Sequence, residues 1–239
     1  MYTKKIIDVQ GSSMEMLVFE PQGAGPFPGL VALQHIPVAH KGLETDPFQI
    51  DVGERLASAG YVCAMPFIFH WWPKEADITV KREGFRDDWV IADIDAAHDL
   101  LCVSPNVDTG RIGILGHCWG GRLSWLGPCR NPGFKAAATL YGGRIKTTMG
   151  KDSVPPIALT ANMKCSMLGI FGNDDVNPSS EDVNDQEAAL KAAGIPYEFY
   201  RYDGAGHGFQ DFTNAERYRK EQSNDAWIKL LDFFDRKLK

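Results

Sequence analysis

The sequence lacks the marks of several protein classes. Its five cysteines (Cys63, Cys102, Cys118, Cys129 and Cys165) are odd in number and include no CxxC pair. That argues against a disulfide framework and a cysteine zinc cage, and suits a reducing compartment. Basic charge is not in excess: 25 Lys and Arg stand against 31 Asp and Glu, for a formal net charge of −6. With no block of like charges, there is no basic face for a nucleic acid. The N-terminal "MYTKKIIDVQ" lacks the apolar stretch of a secretory signal. The most apolar segment, "YVCAMPFIFHWWP", falls short of the roughly 20 residues that cross a bilayer. HExxH and HxxEH spacings are missing, as is a phosphate-cradling glycine loop after the first strand, so neither a metal nor a nucleotide cofactor is expected. These absences predict a cytoplasmic monomer or homodimer with a small-molecule substrate and no nucleic-acid or membrane partner.

What is present is an alternation of strand and helix patterns. The 239 residues are 44% hydrophobic and 23% charged, enough for one large core. "MEMLVFE" alternates as a strand. "GPFPGLVALQH", "YVCAMPFIF", "RIGIL", "KAAATLY" and "SMLGIFG" contain the continuous apolar runs of strands buried on both faces. "PYEFYRY" alternates again. Helical periodicity covers Phe48 to Ala59, Arg86 to Leu101, "CWGGRLSWLG", Ser180 to Ala193 and Asn214 to Leu238. Residues 143–165 show little periodicity. Residues 1–239 are therefore expected to form one α/β domain, with a mostly parallel sheet of about eight strands flanked by helices on both faces. Ligands of such sheets sit beyond the carboxyl ends of the strands.

Three strand ends carry chemistry. "GHCWGG" fits G-x-[S/C]-x-G, which presents a nucleophile on a sharp strand-to-helix turn and needs small neighbours at Gly116 and Gly120. Cys118 there would sit over a helix N-terminus, where a thiolate is favoured. "FGNDDVNP" offers Asp174 and Asp175, and "YDGAGHGF" offers His207 between two glycines. Nucleophile, acid, histidine is the chain order of the α/β-hydrolase triad. Each also has a bland reading: Cys118 as a buried core thiol, Asp175 as a turn former. Cys63, Cys102, Cys129 and Cys165 have no such setting and are expected to be structural. His117 should point away from the site and pack against the sheet.

"GHCWGGR", "GNDDVNPSSEDV" and "YDGAGHGFQDF" resemble the dienelactone hydrolase family of α/β-hydrolases, from "GPFPGLVALQH" through the C-terminal helix. The resemblance implies an α/β-hydrolase fold and a hydrolase of small esters or lactones. It implies a catalytic Cys118, Asp175 and His207, with Asp175 chosen because the family's acid stands three residues after the glycine. It further implies an oxyanion hole from the backbone N–H groups of Ile36 and Trp119.

Where the family has a glutamate after the early-strand "Q", this chain has His35. The family's substrate-holding arginines have only Arg82 and Arg86 as candidates in "FHWWPKEADITVKREGF". Phe67, Phe69, Trp71 and Trp72 follow a strand end where a pocket wall is expected. With His35 and Arg86 they form the expected substrate-binding set. Apolar walls of this kind suit a neutral hydrophobic ester. The alternatives are a dienelactone hydrolase proper, a promiscuous phosphotriester hydrolase and a non-catalytic small-ligand module.

Overall fold

The computed structural model describes residues 1–151 and 153–239. Its eight strands are β1 (Tyr2–Val9), β2 (Ser12–Phe19), β3 (Phe27–Leu33), β4 (Val62–Pro66), β5 (Val107–His117), β6 (Ala136–Leu140), β7 (Ser166–Gly172) and β8 (Tyr197–Tyr202). They form one sheet in the order β1-β2-β4-β3-β5-β6-β7-β8. The β1–β2 and β2–β4 pairs are antiparallel, and all pairs from β4 to β8 are parallel. The apolar runs become strands buried on both sides, while the alternating "PYEFYRY" becomes the half-buried edge strand β8.

Seven helices connect and cover the sheet: α1 (Val38–Lys41), α2 (Pro47–Ser58), α3 (Ile78–Glu83), α4 (Asp87–Cys102), α5 (Trp119–Arg130), α6 (Ser180–Ala192) and α7 (Lys220–Leu238). Successive residues of β5 show that both faces are covered. A Cβ on Gly113 would touch Leu238 of α7 at 3.0 Å, while the Cδ1 of Ile114 lies under Gly127 of α5. Neighbouring strand residues point to opposite faces, so α7 and α5 lie on opposite sides. Alanines fill the centre of β6 at Ala136, Ala137 and Ala138, all fully buried.

Two boundaries and three elements differ from the sequence expectation. The closing helix starts at Lys220 rather than Asn214. Asn214 caps a turn instead: its carbonyl accepts the N–H groups of Arg217 and Tyr218, and Arg219 is extended. Strand β4 stops at Pro66, so Phe67 and Phe69 belong to the connection behind it. β1, α1 and α3 were not anticipated; α1 and α3 are too short to show a helical period. Among the described residues no helix is long and apolar enough to cross a membrane.

Candidate active site

The end of β5 breaks directly into α5 at Cys118, whose backbone takes φ 58° and ψ −112°. Positive φ is costly for a residue with a Cβ and persists only where the surroundings impose it. Here the Cys118 N–H donates to the Leu140 carbonyl and the Gly120 N–H to the Gln34 carbonyl, both at 2.9 Å. These bonds tie the turn to the ends of β6 and β3. A Cβ on Gly116 would overlap the Gly120 carbonyl, and one on Gly120 would overlap the Leu33 carbonyl. The small residues of the motif are thus required by close backbone approach.

The turn lifts the Cys118 sulfur to His207. His207 Nε2 lies 3.0 Å from Sγ, and Nδ1 lies 2.8 Å from Asp175 Oδ2. Asp175 is itself held, its Oδ1 accepting the Asn177 N–H at 2.8 Å. The structure brings the buried Asp175 to the imidazole, whereas Asp174 is exposed. β7 and β8 run side by side in parallel and end together, which sets the loops carrying Asp175 and His207 next to each other.

Burial works against a charged Cys118. The hydrogen bond and charge of His207 outweigh it, helped by the Ile36 and Trp119 N–H groups aimed at the sulfur. The thiol is held below its usual value. Burial likewise opposes a charged His207, but Asp175 and Cys118 push it up to about 10. Both shifts favour the same ion pair, a thiolate facing an imidazolium whose two N–H groups are both engaged. Burial drives Cys63 far up and lifts Cys129 and Cys165 to about 12. Cys102 is raised as well. Of the five thiols, Cys118 is the one whose surroundings favour the thiolate. Such a site can attack a carbonyl and hold the resulting oxyanion.

His35 lines the cavity but is not free. Its Nε2 donates to Asp46 Oδ2 at 2.9 Å, and its Nδ1 lies 3.9 Å from Asp211 Oδ2. Asp46 also caps α2 by accepting the Gln49 N–H. His117 faces away, fully buried and depressed by burial to about 3, so it is a neutral packing residue.

The expected pocket wall is elsewhere. Phe67 and Phe69 are buried. Trp71 stacks on Trp89 and donates to Asp93, and Trp72 stacks on Phe85. None of these four lines the cavity over Cys118. Arg86 turns outward, its Nε and Nη2 donating to Asp88 at 3.0 and 2.8 Å across the face of Trp89. Trp71 and Trp72 pack on Trp89 of α4, and Phe69 packs on Phe67 and Phe85, so these rings are taken up by one another and by the helix rather than by the cavity.

The cavity of about 300 Å³ over Cys118 is lined by Arg82, Arg144, Arg217, Tyr141 and Asp211, besides His35 and the motif residues. Among the described residues, the guanidiniums of Arg82, Arg144 and Arg217 have no acidic partner. Arg144, Arg217, Tyr141 and Asp211 were not singled out from the sequence. Arg144 follows a Gly-Gly pair, the one local hint that its backbone is unusual. Arg217 lies in a segment whose apparent helical period hid a turn. Among the described residues no three His, Cys, Asp or Glu side chains gather in a way that would hold a metal ion.

Comparison with known proteins accords with this geometry. The dienelactone hydrolase family model matches residues 14–238. A relative from Escherichia coli strain K12, provisionally named carboxymethylenebutenolidase, is 31% identical over 238 residues, covering 95% of this chain and 84% of its own. A Bradyrhizobium protein, provisionally named 2-oxo-3-(5-oxofuran-2-ylidene)propanoate lactonase, is 28% identical over 233 residues, covering 94% and 90%. Among solved structures, a Klebsiella pneumoniae protein provisionally named dienelactone hydrolase superposes with a TM-score of 0.86 at 27% identity, covering 98% of both chains. A dienelactone hydrolase-like promiscuous phosphotriesterase from metagenomic libraries shares the fold at a TM-score of 0.81 and 16% identity, covering 100% and 99%. The chain belongs to the dienelactone hydrolase family of α/β-hydrolases, enzymes that hydrolyse esters or lactones.

Proposed function

We propose that this enzyme hydrolyses small anionic esters or lactones by acyl transfer to Cys118. The observation that carries the chemistry is the continuous Sγ–imidazole–carboxylate line at 3.0 and 2.8 Å. The Cys118 thiolate adds to the substrate carbonyl, and the oxyanion is held by the N–H groups of Ile36 and Trp119. His207 donates its Nε2 proton to the departing alkoxide as the tetrahedral adduct collapses to a thioester. Its Nε2 then takes a proton from water, which attacks the thioester, and the acid product leaves with the thiolate restored. Asp175 holds the imidazole through Nδ1 in one orientation throughout.

The substrate class follows from charge. Three guanidiniums with no acidic partner among the described residues stand against one lining carboxylate, Asp211, around a small cavity, a poor wall for a neutral ester. They suit a carboxylate, which arginine binds with two parallel hydrogen bonds. This replaces the expectation of a neutral hydrophobic substrate, which rested on aromatic rings that lie outside the cavity. The Bradyrhizobium relative's name describes such a molecule, a lactone bearing an oxo-acid group.

The test is hydrolysis of a phenyl ester with one free carboxylate and of its neutral counterpart. Wild type should favour the anion in kcat/KM by about tenfold or more, as expected for a hydrogen bond between charged partners. Cys118→Ala should lose at least about 10³-fold on both. Arg217→Ala should lose the preference but retain the neutral activity. Equal activity of Cys118→Ala and wild type would overturn the chemistry. Equal rates for the two esters would overturn the substrate class.

A further inference from the structure

Arg144 has a backbone that a long side chain does not choose: φ is +56°. The strain is held in place from below. Arg122 is buried in an ion pair with Asp87, with Nη2 3.0 Å from Asp87 Oδ2. The same guanidinium donates to the Arg144 carbonyl at 3.2 Å and the Thr147 carbonyl at 2.9 Å. The Asp87 N–H donates to the Met149 carbonyl at 2.9 Å. One buried ion pair therefore clamps the segment from Arg144 to Met149. The clamp leaves the Arg144 side chain exposed, with its guanidinium 6.0 Å from the ring of Trp119. Strain that the surroundings impose on a residue at a ligand cavity points to a use for that residue.

A second cavity, of about 500 Å³, adjoins the first. Its walls include Thr79, Glu83, Phe85, Thr147 and Thr148. Arg82 and Arg144 line both cavities, whereas Arg217 lines only the one over Cys118. The wall the two cavities share thus carries these two guanidiniums, beside the edge-to-face pair of Phe85 and Trp119. Among the described residues of its wall, Arg82 and Arg144 stand against one carboxylate, Glu83. Threonine hydroxyls beside the cations add donors suited to a carboxylate.

We propose that the second cavity is a subsite for a second carboxylate, so that the preferred substrate is a dianionic ester or lactone. One anionic group is held beside Arg217 in the first cavity. The other passes Trp119 and is held by Arg144 and Arg82 in the second. This rests on the anionic-ester reading above and adds a substrate class to it. Arg144 is the specificity-determining residue, because its strained backbone aims it at the junction.

Four phenyl esters of matched length test this: one neutral, one with a carboxylate on the acyl chain, one with a carboxylate on the ring, and one with both. Arg144→Gly is the informative variant. Glycine adopts a positive φ freely, so the fold is kept and only the guanidinium is lost. For wild type, each carboxylate should raise kcat/KM by about tenfold, and the two together by about a hundredfold. Arg144→Gly should lose one of these steps and keep the other, each step being read as the ratio of kcat/KM to that of the same variant on the neutral ester. The step it loses identifies the end of the substrate that enters the second cavity. If the doubly charged ester is no better than the singly charged ones, the second subsite is refuted while the anionic reading stands. If both single carboxylates slow the reaction, the anionic reading falls with it. Loss of both steps in Arg144→Gly would show a general field effect and also refute a separate subsite.

Discussion

At Cys118 two opposing effects act on one sulfur. Burial disfavours the thiolate, and His207 with two backbone N–H groups favours it more strongly. The sign of the outcome sets the pH dependence. Deprotonating the thiol turns activity on, and its value lies below that of an ordinary cysteine, about 8.5. Deprotonating His207 removes the acid for the leaving group, and its value is about 10. The kcat/KM profile for an aryl ester should rise through the first titration, at a midpoint below that of an ordinary thiol, and fall through the second, with a plateau between them. The two values belong to the coupled pair rather than to either residue alone. A profile that rises with a midpoint at or above about 8.5 and shows no alkaline fall would mean a thiol without an imidazolium partner. Cys118, Asp175 and His207 were legible from sequence because each stands in a short loop whose glycines and neighbours constrain the backbone. His35 was legible as a site residue but not in its partners. Nothing local ties it to Asp46 and Asp211.

At the scale of elements, the site is a property of strand ends. β5, β7 and β8 are parallel and side by side or one strand apart, so their carboxyl ends deliver Cys118, Asp175 and His207 to one place. The apolar runs made these strands readable, and α2 and α6 end just ahead of Gly60 and Gly194, both at positive φ. The misplaced start of α7 has a simple cause. Asn214 to Arg219 carries helix-forming residues, yet Asn214 binds its own following backbone and competes with the helix. The turn at Cys118 gives the sharpest prediction at this scale. Gly116→Ala places a methyl group on the Gly120 carbonyl, and backbone cannot step aside as a flexible side chain can. Overpacking of this kind should cost about 3 kcal/mol or more. For a chain of this size that lowers Tm by roughly 6–12 °C, measurable by thermal denaturation. A variant as stable as wild type would show that the turn is looser than described.

On the scale of the whole molecule, the substrate cavity is assembled from segments distant in sequence. Arg82 comes from α3, Arg144 from the loop after β6, and Arg217 from the turn before α7. No window of sequence contains two of them, which is why the cavity was misread as aromatic while the triad was not. Of the rings expected as a wall, Trp71 and Trp72 pack with Trp89 and Phe85, and Phe67 and Phe69 are buried. The placing of Arg144 depends in turn on the buried pair of Arg122 and Asp87, a contact that appears only in three dimensions.

The central claim is that Cys118 carries the acyl group. Mixing the enzyme with a slowly deacylated phenyl ester, quenching in acid and measuring the intact mass tests it directly. The account predicts a stoichiometric burst of phenol and one added acyl group per chain, mapped to the peptide containing Cys118 and absent from Cys118→Ala. Turnover with no acyl adduct, or an adduct that persists in Cys118→Ala, would contradict it.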